Sequence, residues 1–229
     1  GADVVEVARG MGLDERIGSL LTNPGGPGSS GIDFLDSAVS WVIGDDVLDA
    51  YDVVGWDPRG VGRSSAVSCG DDAFVDEFFT TDHPIESQED VEAARELVRR
   101  LGEACLEETG PLLGEVDTVS SARDMDLLRA VLGDEKLHYL GYSYGTFLGA
   151  TYADLYPQNV GRLVLDGALD PSMSNDDLSI GQAIGFEKSL RAYVTDCQQS
   201  SACPLTGTVD AGMAQVADLV ARAEADPLP

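Results

Sequence analysis

Apolar residues along this chain come in short dense runs and in helical stripes, and the two alternate. Ile17-Gly18-Ser19-Leu20-Leu21-Thr22, Tyr51-Asp52-Val53-Val54-Gly55-Trp56, Leu137-His138-Tyr139-Leu140 and Arg162-Leu163-Val164-Leu165 read as strands whose cores are apolar enough for burial on both faces. A shorter alternation at Val4, Val5 and Val7 reads as an edge strand. Between the strands lie helical patterns. One covers 32–43. Another opens where Ser87 can cap with Asp90 three residues on, and Val91, Ala94, Leu97, Val98, Leu101 and Cys105 then recur at helical spacing. A third, over 120–132, is expected to turn Met125, Leu128, Val131 and Leu132 inward and to stop at Gly133. A fourth runs from Thr146 to Pro157. Alternating strands and helices predict an α/β fold for residues 1–171, with a mostly parallel sheet covered by helices on both faces. From 172 to 229 only helical patterns remain, over 178–196 and 209–225, the latter with Met213, Val216, Ala217 and Val220 on one face. Helices that follow a central strand in this way suit a lid.

The strand ends carry the unusual residues. The first long strand runs into Asn23-Pro24-Gly25-Gly26-Pro27-Gly28-Ser29-Ser30-Gly31, which cannot continue a sheet. As a plain loop it needs no further account; as a functional one it offers backbone N–H groups, unobstructed by side chains, to a developing oxyanion. The next strand ends in Asp57-Pro58-Arg59-Gly60-Val61-Gly62-Arg63-Ser64, where Asp57 and Arg59 are expected to anchor the loop as an ion pair. The third runs into Gly141-Tyr142-Ser143-Tyr144-Gly145-Thr146. Gly-x-Ser-x-Gly between a strand and a helix marks a sharp corner that projects the serine hydroxyl from the sheet, with small residues where strand and helix nearly collide. Open α/β sheets gather their sites along the edge formed by the strands' C-terminal ends.

Composition narrows the classes of partner. Among 229 residues, 41 are acidic and 14 basic, a formal charge of −27 that repels nucleic acid and anionic membranes alike. No run approaches the roughly 18 consecutive apolar residues of a membrane span. Four cysteines, Cys69, Cys105, Cys197 and Cys203, lack C-x-x-C spacing, and the two histidines, His83 and His138, lie near no cysteine pair, so neither zinc nor any cofactor is expected. Three pairings are possible, and four free thiols are the alternative; sequence proximity suggests Cys197 with Cys203, which leaves Cys69 with Cys105, and disulfides would point to a secreted protein.

With these motifs in this order, the chain resembles the α/β-hydrolase superfamily, and within it the secreted actinobacterial tripeptidyl-aminopeptidase-like and prolyl-iminopeptidase-like serine peptidases. The likeness rests on Asn23-Pro24-Gly25-Gly26-Pro27-Gly28, on Trp56-Asp57-Pro58-Arg59-Gly60-Val61-Gly62-Arg63-Ser64, on Gly141-Tyr142-Ser143-Tyr144-Gly145-Thr146 and on Leu165-Asp166-Gly167. It implies that Ser143 is the nucleophile and that the backbone N–H groups of Tyr144 and of Gly25 or Gly26 form an oxyanion hole. Prolyl iminopeptidases begin the glycine loop with histidine where this chain has Pro24, a departure that leaves the backbone donors in place.

The other two catalytic members are the difficulty. The superfamily order is nucleophile, acid, histidine, yet no histidine follows Ser143. His138 sits on the nucleophile strand itself and reads as a packing residue, and His83 lies in an acidic loop. The resemblance therefore implies an N-terminal portion whose lid is truncated within 172–229 and whose last strands, with the histidine and acid, lie in a missing C-terminal segment or a second chain. Asp166 is a possible acid, since some hydrolases place theirs after that strand. The implied activity is that of a serine exopeptidase that releases N-terminal tripeptides or proline-type residues, inactive as 229 residues alone. A carboxylesterase on small acyl esters and an inactive hydrolase-fold binding protein are the alternatives, because fold and nucleophile do not select the leaving group.

Overall fold

The structure, a computed structural model, describes residues 4–7 (backbone only), 16–80 and 85–226. They fall into two compact units, Gly1–Pro171 and Ser172–Pro229.

The first unit is built on a five-stranded sheet in the order β1-β3-β2-β4-β5. Its strands are β1 (Val4–Val7), β2 (Gly18–Asn23), β3 (Tyr51–Trp56), β4 (Leu137–Tyr142) and β5 (Val160–Asp166). All neighbours run parallel except β1, which pairs antiparallel with β3. Register decides what the sheet presents. Thr22 lies opposite Gly55 and Asn23 opposite Gly141, so β2, β3 and β4 end together and their following loops share one edge.

Successive side chains of a strand point to opposite faces, which sorts the apolar residues into two clusters. Leu21, Val54 and Tyr139 pack under α5 (Thr118–Leu132) and α6 (Tyr144–Leu155), beside Met125, Leu148 and Tyr152. Leu20 and Val53 pack on the opposite face under α1 (Gly31–Val42) and α2 (Asp45–Ala50), with Leu35, Val39 and Leu48. Each wholly buried side chain of this kind contributes about 1.5–3 kcal/mol relative to exposure. The face of α5 differs from expectation at one residue. Met125, Leu128 and Leu132 meet the core, but Val131 is 75% exposed, because the step of about 100° per residue carries it out of the stripe. Asp117, whose carboxylate accepts from Ser120 N at 2.8 Å, starts α5 two residues before the expected position, and Gly133, with φ 84°, ends it.

Two short helices have no counterpart in the apolar pattern: α2 and α3 (Asp72–Thr80), the latter without a buried residue. The helix α4 (Gln88–Thr109) opens with the expected capping box between Ser87 and Asp90. Its Cys105 is disulfide-bonded to Cys69, which ties α4 to the segment before α3. In the second unit, α7 (Asn175–Cys197) and α8 (Val209–Ala225) form a helical pair joined by a turn that the Cys197–Cys203 disulfide closes. A Cβ at Gly212 would lie 2.5 Å from Val194 Cγ1, so glycine is what lets α8 approach α7. On α8, Met213 and Val216 are half-buried while Ala217 and Val220 are exposed.

Candidate active site

The corner between β4 and α6 is a strained point of the shared edge. Ser143 has φ 52° and ψ −120°, a region that costs a non-glycine residue on the order of 1–3 kcal/mol and persists only where its surroundings enforce it. Its N–H donates to Asp166 O at 2.9 Å, and its carbonyl accepts from both Thr146 N (2.9 Å) and Thr146 Oγ1 (2.6 Å). Thr146 Oγ1 in turn accepts from Leu169 N at 2.9 Å. The main chain of the serine is thereby fixed on both sides while the residue itself is exposed. No hydrogen bond among the described residues engages its hydroxyl.

The flanking glycines serve close approach. A Cβ at Gly141 would stand 2.4 Å from Gly145 O, and one at Gly145 would stand 2.7 Å from Asn23 O. Strand, helix and the β2 loop therefore meet backbone to backbone. Tyr139, wholly buried, donates its hydroxyl to Gly145 O at 2.7 Å, and burial pushes that phenol well above its ordinary pKa. Tyr144 is anchored from α5 through a 2.8 Å hydrogen bond between its hydroxyl and Thr118 Oγ1.

The glycine loop after β2 lies directly against this corner. A Cβ at Gly25 would be 3.0 Å from Ser143 Cβ and 3.2 Å from Tyr144 N. The two glycines named from the sequence now separate. Gly25 N donates to Asn23 Oδ1 at 3.0 Å, so that N–H is used within the loop. Gly26, with φ 108°, has an N–H that no hydrogen bond engages among the described residues, and the same holds for Tyr144 N, the first of α6. Asn23 was not assigned a role by the sequence reading. Its signal was available, because Asn two residues before a glycine N–H is the pattern of an Asx turn.

The loop after β3 corrects an expectation. Arg59 does not pair with Asp57; it makes a two-pronged contact with Asp124 of α5, 2.7 Å at each oxygen, and also donates to Glu115 O. Asp57 is turned inward instead, where backbone and hydroxyl donors reach it and the Arg59 side chain does not. Arg59 has the reach to cross to a helix 65 residues away in sequence, a pairing no local pattern reveals.

The two remaining candidates are placed differently. Asp166, an exposed residue, supplies its main-chain carbonyl to the corner and is also one of the residues that line a groove of about 360 Å³, with Tyr142, Arg162 and Val164. Burial and then the Asp166 charge raise the Tyr142 phenol above its ordinary value. His138 lies opposite Leu20, five residues before Ser143, a span of roughly 16 Å along an extended strand. Its Nδ1 accepts from Arg162 N at 3.1 Å and its ring meets Tyr51 edge-on. Burial, followed by the Arg162 charge, lowers its pKa. His83 lies outside the described residues. Among those residues, no group of three or more His, Cys, Asp or Glu is placed to hold a metal ion.

A family model described as the alpha/beta hydrolase fold matches residues 18–220. Serine protease Hip1 of Mycobacterium tuberculosis is 40% identical over 193 residues, covering 83% of this chain and 37% of the relative. Tripeptidyl aminopeptidase of Streptomyces lividans is 41% identical over 179 residues, 76% of this chain and 33% of the relative. Carboxylesterase B of Mycobacterium tuberculosis is 41% identical over 201 residues, 87% of this chain and 39% of the relative. The chain thus spans between a third and two fifths of the length of these relatives.

Proposed function

We propose a catalytic role from one premise: the chain belongs to the alpha/beta-hydrolase fold family. It is the nucleophile-bearing part of a serine exopeptidase that releases tripeptides or proline-type residues from free N-termini. The observation that carries this reading is the Ser143 corner, strained and exposed, with the glycine loop at Gly25 packed against it and the Tyr144 N–H unengaged at the start of α6. Ser143 Oγ attacks the substrate carbonyl carbon as its proton passes to a histidine. The resulting oxyanion accepts from Gly26 N and Tyr144 N, while Gly25 shapes the loop rather than donating. The leaving amine takes the proton, and water then hydrolyses the acyl ester on Ser143.

The base comes from outside the 229 residues, in a further segment of the enzyme or a second chain. Support comes from the placement of His138, whose accepting nitrogen is already used and which lies far down the strand from the serine. The acid comes with it, and Asp166, one of the residues that line the groove beside Tyr142, is the lesser candidate. Residues 172–229 begin the lid. The two disulfides support a secreted location, since such bonds persist in oxidising compartments.

One relative named a carboxylesterase supports a second reading, hydrolysis of small acyl esters by the same serine. Turnover of tripeptidyl and aminoacyl arylamides compared with p-nitrophenyl esters by the full-length protein decides between them. The peptidase reading expects kcat/KM at least about tenfold higher on an arylamide whose peptide length is matched, a difference of roughly 1.4 kcal/mol in transition-state stabilisation. An enzyme that turns over only the esters would establish the second reading.

A further inference from the structure

One wholly buried carboxylate in the first unit has no part in the bond-making steps. Asp57, at the end of β3, is 0% exposed. Its Oδ1 accepts from Ser30 Oγ at 2.5 Å and from Ile32 N at 3.4 Å, and its Oδ2 accepts from Arg63 N at 2.8 Å. The Arg63 guanidinium stands 3.9 Å from Oδ2 and also pairs with Asp33. These donors come from two different loops. Ser30 and Ile32 belong to the junction of the glycine loop with α1, and Arg63 belongs to the loop after β3.

The enclosure depends on missing side chains. Gly62, with φ 47°, passes so close that a Cβ there would lie 2.3 Å from Asp57 Oδ2. A Cβ at Gly31 would lie 2.2 Å from Trp56 O. Both loops can therefore close over one carboxylate only because these positions carry no side chain. Burial opposes the charge on Asp57, but the donors from Ser30, Arg63 and Ile32 outweigh it and hold the carboxyl below its ordinary pKa.

Ser30 does two things with one hydroxyl. Its oxygen accepts from Asp33 N at 3.0 Å, which caps α1, and its proton goes to Asp57. The glycine loop is thus tied at its start by Asn23 to Gly25 and at its end by Ser30 to Asp57, with Gly26 between the two ties. We propose that Asp57 is a positioning residue for the oxyanion hole, holding the far end of the glycine loop through Ser30 so that Gly26 N–H stays aimed at the carbonyl oxygen of an acyl group on Ser143. The assignment rests on the reading of Ser143 as nucleophile, and it adds a residue that touches neither substrate nor serine.

The test uses the full-length enzyme with Asp57→Asn, Ser30→Ala and Ser30→Thr, and with Ser143→Ala as control. Turnover on a peptide arylamide is measured per active site, the sites being counted by complete reaction with a fluorophosphonate. Inhibition by a peptide aldehyde, whose adduct places an oxyanion in the hole, is measured beside it. Asp57→Asn is expected to lower kcat per site about 10- to 100-fold with KM changed by no more than about twofold, and to weaken the aldehyde in parallel. Ser30→Ala is expected to lose roughly tenfold, and Ser30→Thr, which keeps the hydroxyl, to stay within about threefold of the parent enzyme. If Asp57 only supports the fold, the count of active sites drops and kcat per site does not, which overturns the proposal. Should Asp57→Asn fail to fold, Ser30→Ala decides through the same hydrogen bond, and unchanged kcat per site there overturns it equally. An active Ser143→Ala enzyme would bring down the nucleophile assignment itself; an inactive one beside a fully active Asp57→Asn enzyme brings down only the role of Asp57.

Discussion

The two ends of β4 carry a serine and a histidine, the residue types a hydrolase needs, and the structure treats them in opposite ways. At the C-terminal end, Ser143 is held by its main chain alone, with φ 52° and its side chain exposed. Further back, His138 is packed by its side chain: Nδ1 is taken by Arg162 N and the ring lies edge-on to Tyr51. On the proposed reading, the reactive residue is the one whose backbone is fixed and whose side chain is left free. Having the right functional group on the right strand is not enough, because a strand separates its ends by about 3.3 Å per residue.

That contrast can be broken most sharply by exchanging the two residues' fates in the full-length protein. Ser143→Ala is expected to lower kcat/KM on arylamides by about 10⁴-fold or more, in the range found when a nucleophile is removed. His138→Gln, which can still accept from Arg162 N, is expected to stay within about threefold, since His138 is remote from any proton in flight. Steady-state kinetics on both variants checks this, and a His138→Gln enzyme as dead as Ser143→Ala would make His138 the base after all.

The loop donor comes next in size. Gly26→Ala forces a side chain onto φ 108° and sets its Cβ 2.8 Å from Gly28 N, so the N–H at this position must swing. A loss of about 10²- to 10³-fold in kcat is expected, the cost of one oxyanion donor. Arylamide turnover on folded variant, verified by its melting curve, is the measurement; turnover within a few-fold of the parent would return the donor's role to Gly25.

Much of the scaffold was legible before the structure. The four long strands, the capping box at Ser87 and the stop at Gly133 follow from apolar runs and capping chemistry, which act within a few residues. The short helices α2 and α3 were not legible, because six and nine residues present too little apolar stripe to read. At the site, the sharp corner at Ser143 was legible from Gly-x-Ser-x-Gly between strand and helix. The capture of Gly25 N by Asn23 Oδ1 was not, since it turns on a side-chain contact within the loop. The partners of Asp57 and Arg59 were also hidden. Ser30 lies 27 residues from Asp57 and Asp124 lies 65 from Arg59, so only the folded sheet edge brings them together.

Acid should reveal a smaller difference between the fixed and free parts of the molecule. Asp126 is held below its ordinary pKa, chiefly by Arg129 and then, against the opposing effect of burial, by Asn159 and Tyr152. Asp57 is depressed as well, although burial opposes its donors. A carboxylate with a lowered folded-state pKa stabilises the fold fully above its unfolded value, about 3.9, and that stability is lost as pH falls through the folded value. The melting temperature is therefore expected to drop below about pH 4. Asp126→Asn should melt lower than the parent at pH 6 and lose less on acidification. An equally steep acid fall in the variant would show that Asp126 is not part of the cause.

The central proposal is that these 229 residues supply the nucleophile and the oxyanion donors but not the base that activates them. Labelling with a fluorophosphonate, followed by mass spectrometry of the modified peptide, tests it most directly, on the 229-residue chain and on the full-length protein side by side. The account predicts rapid labelling at Ser143 in the full-length protein and none in the 229-residue chain over the same time. Rapid labelling of Ser143 in the short chain would place a base within it, and full-length protein labelled elsewhere would remove Ser143 from the chemistry altogether.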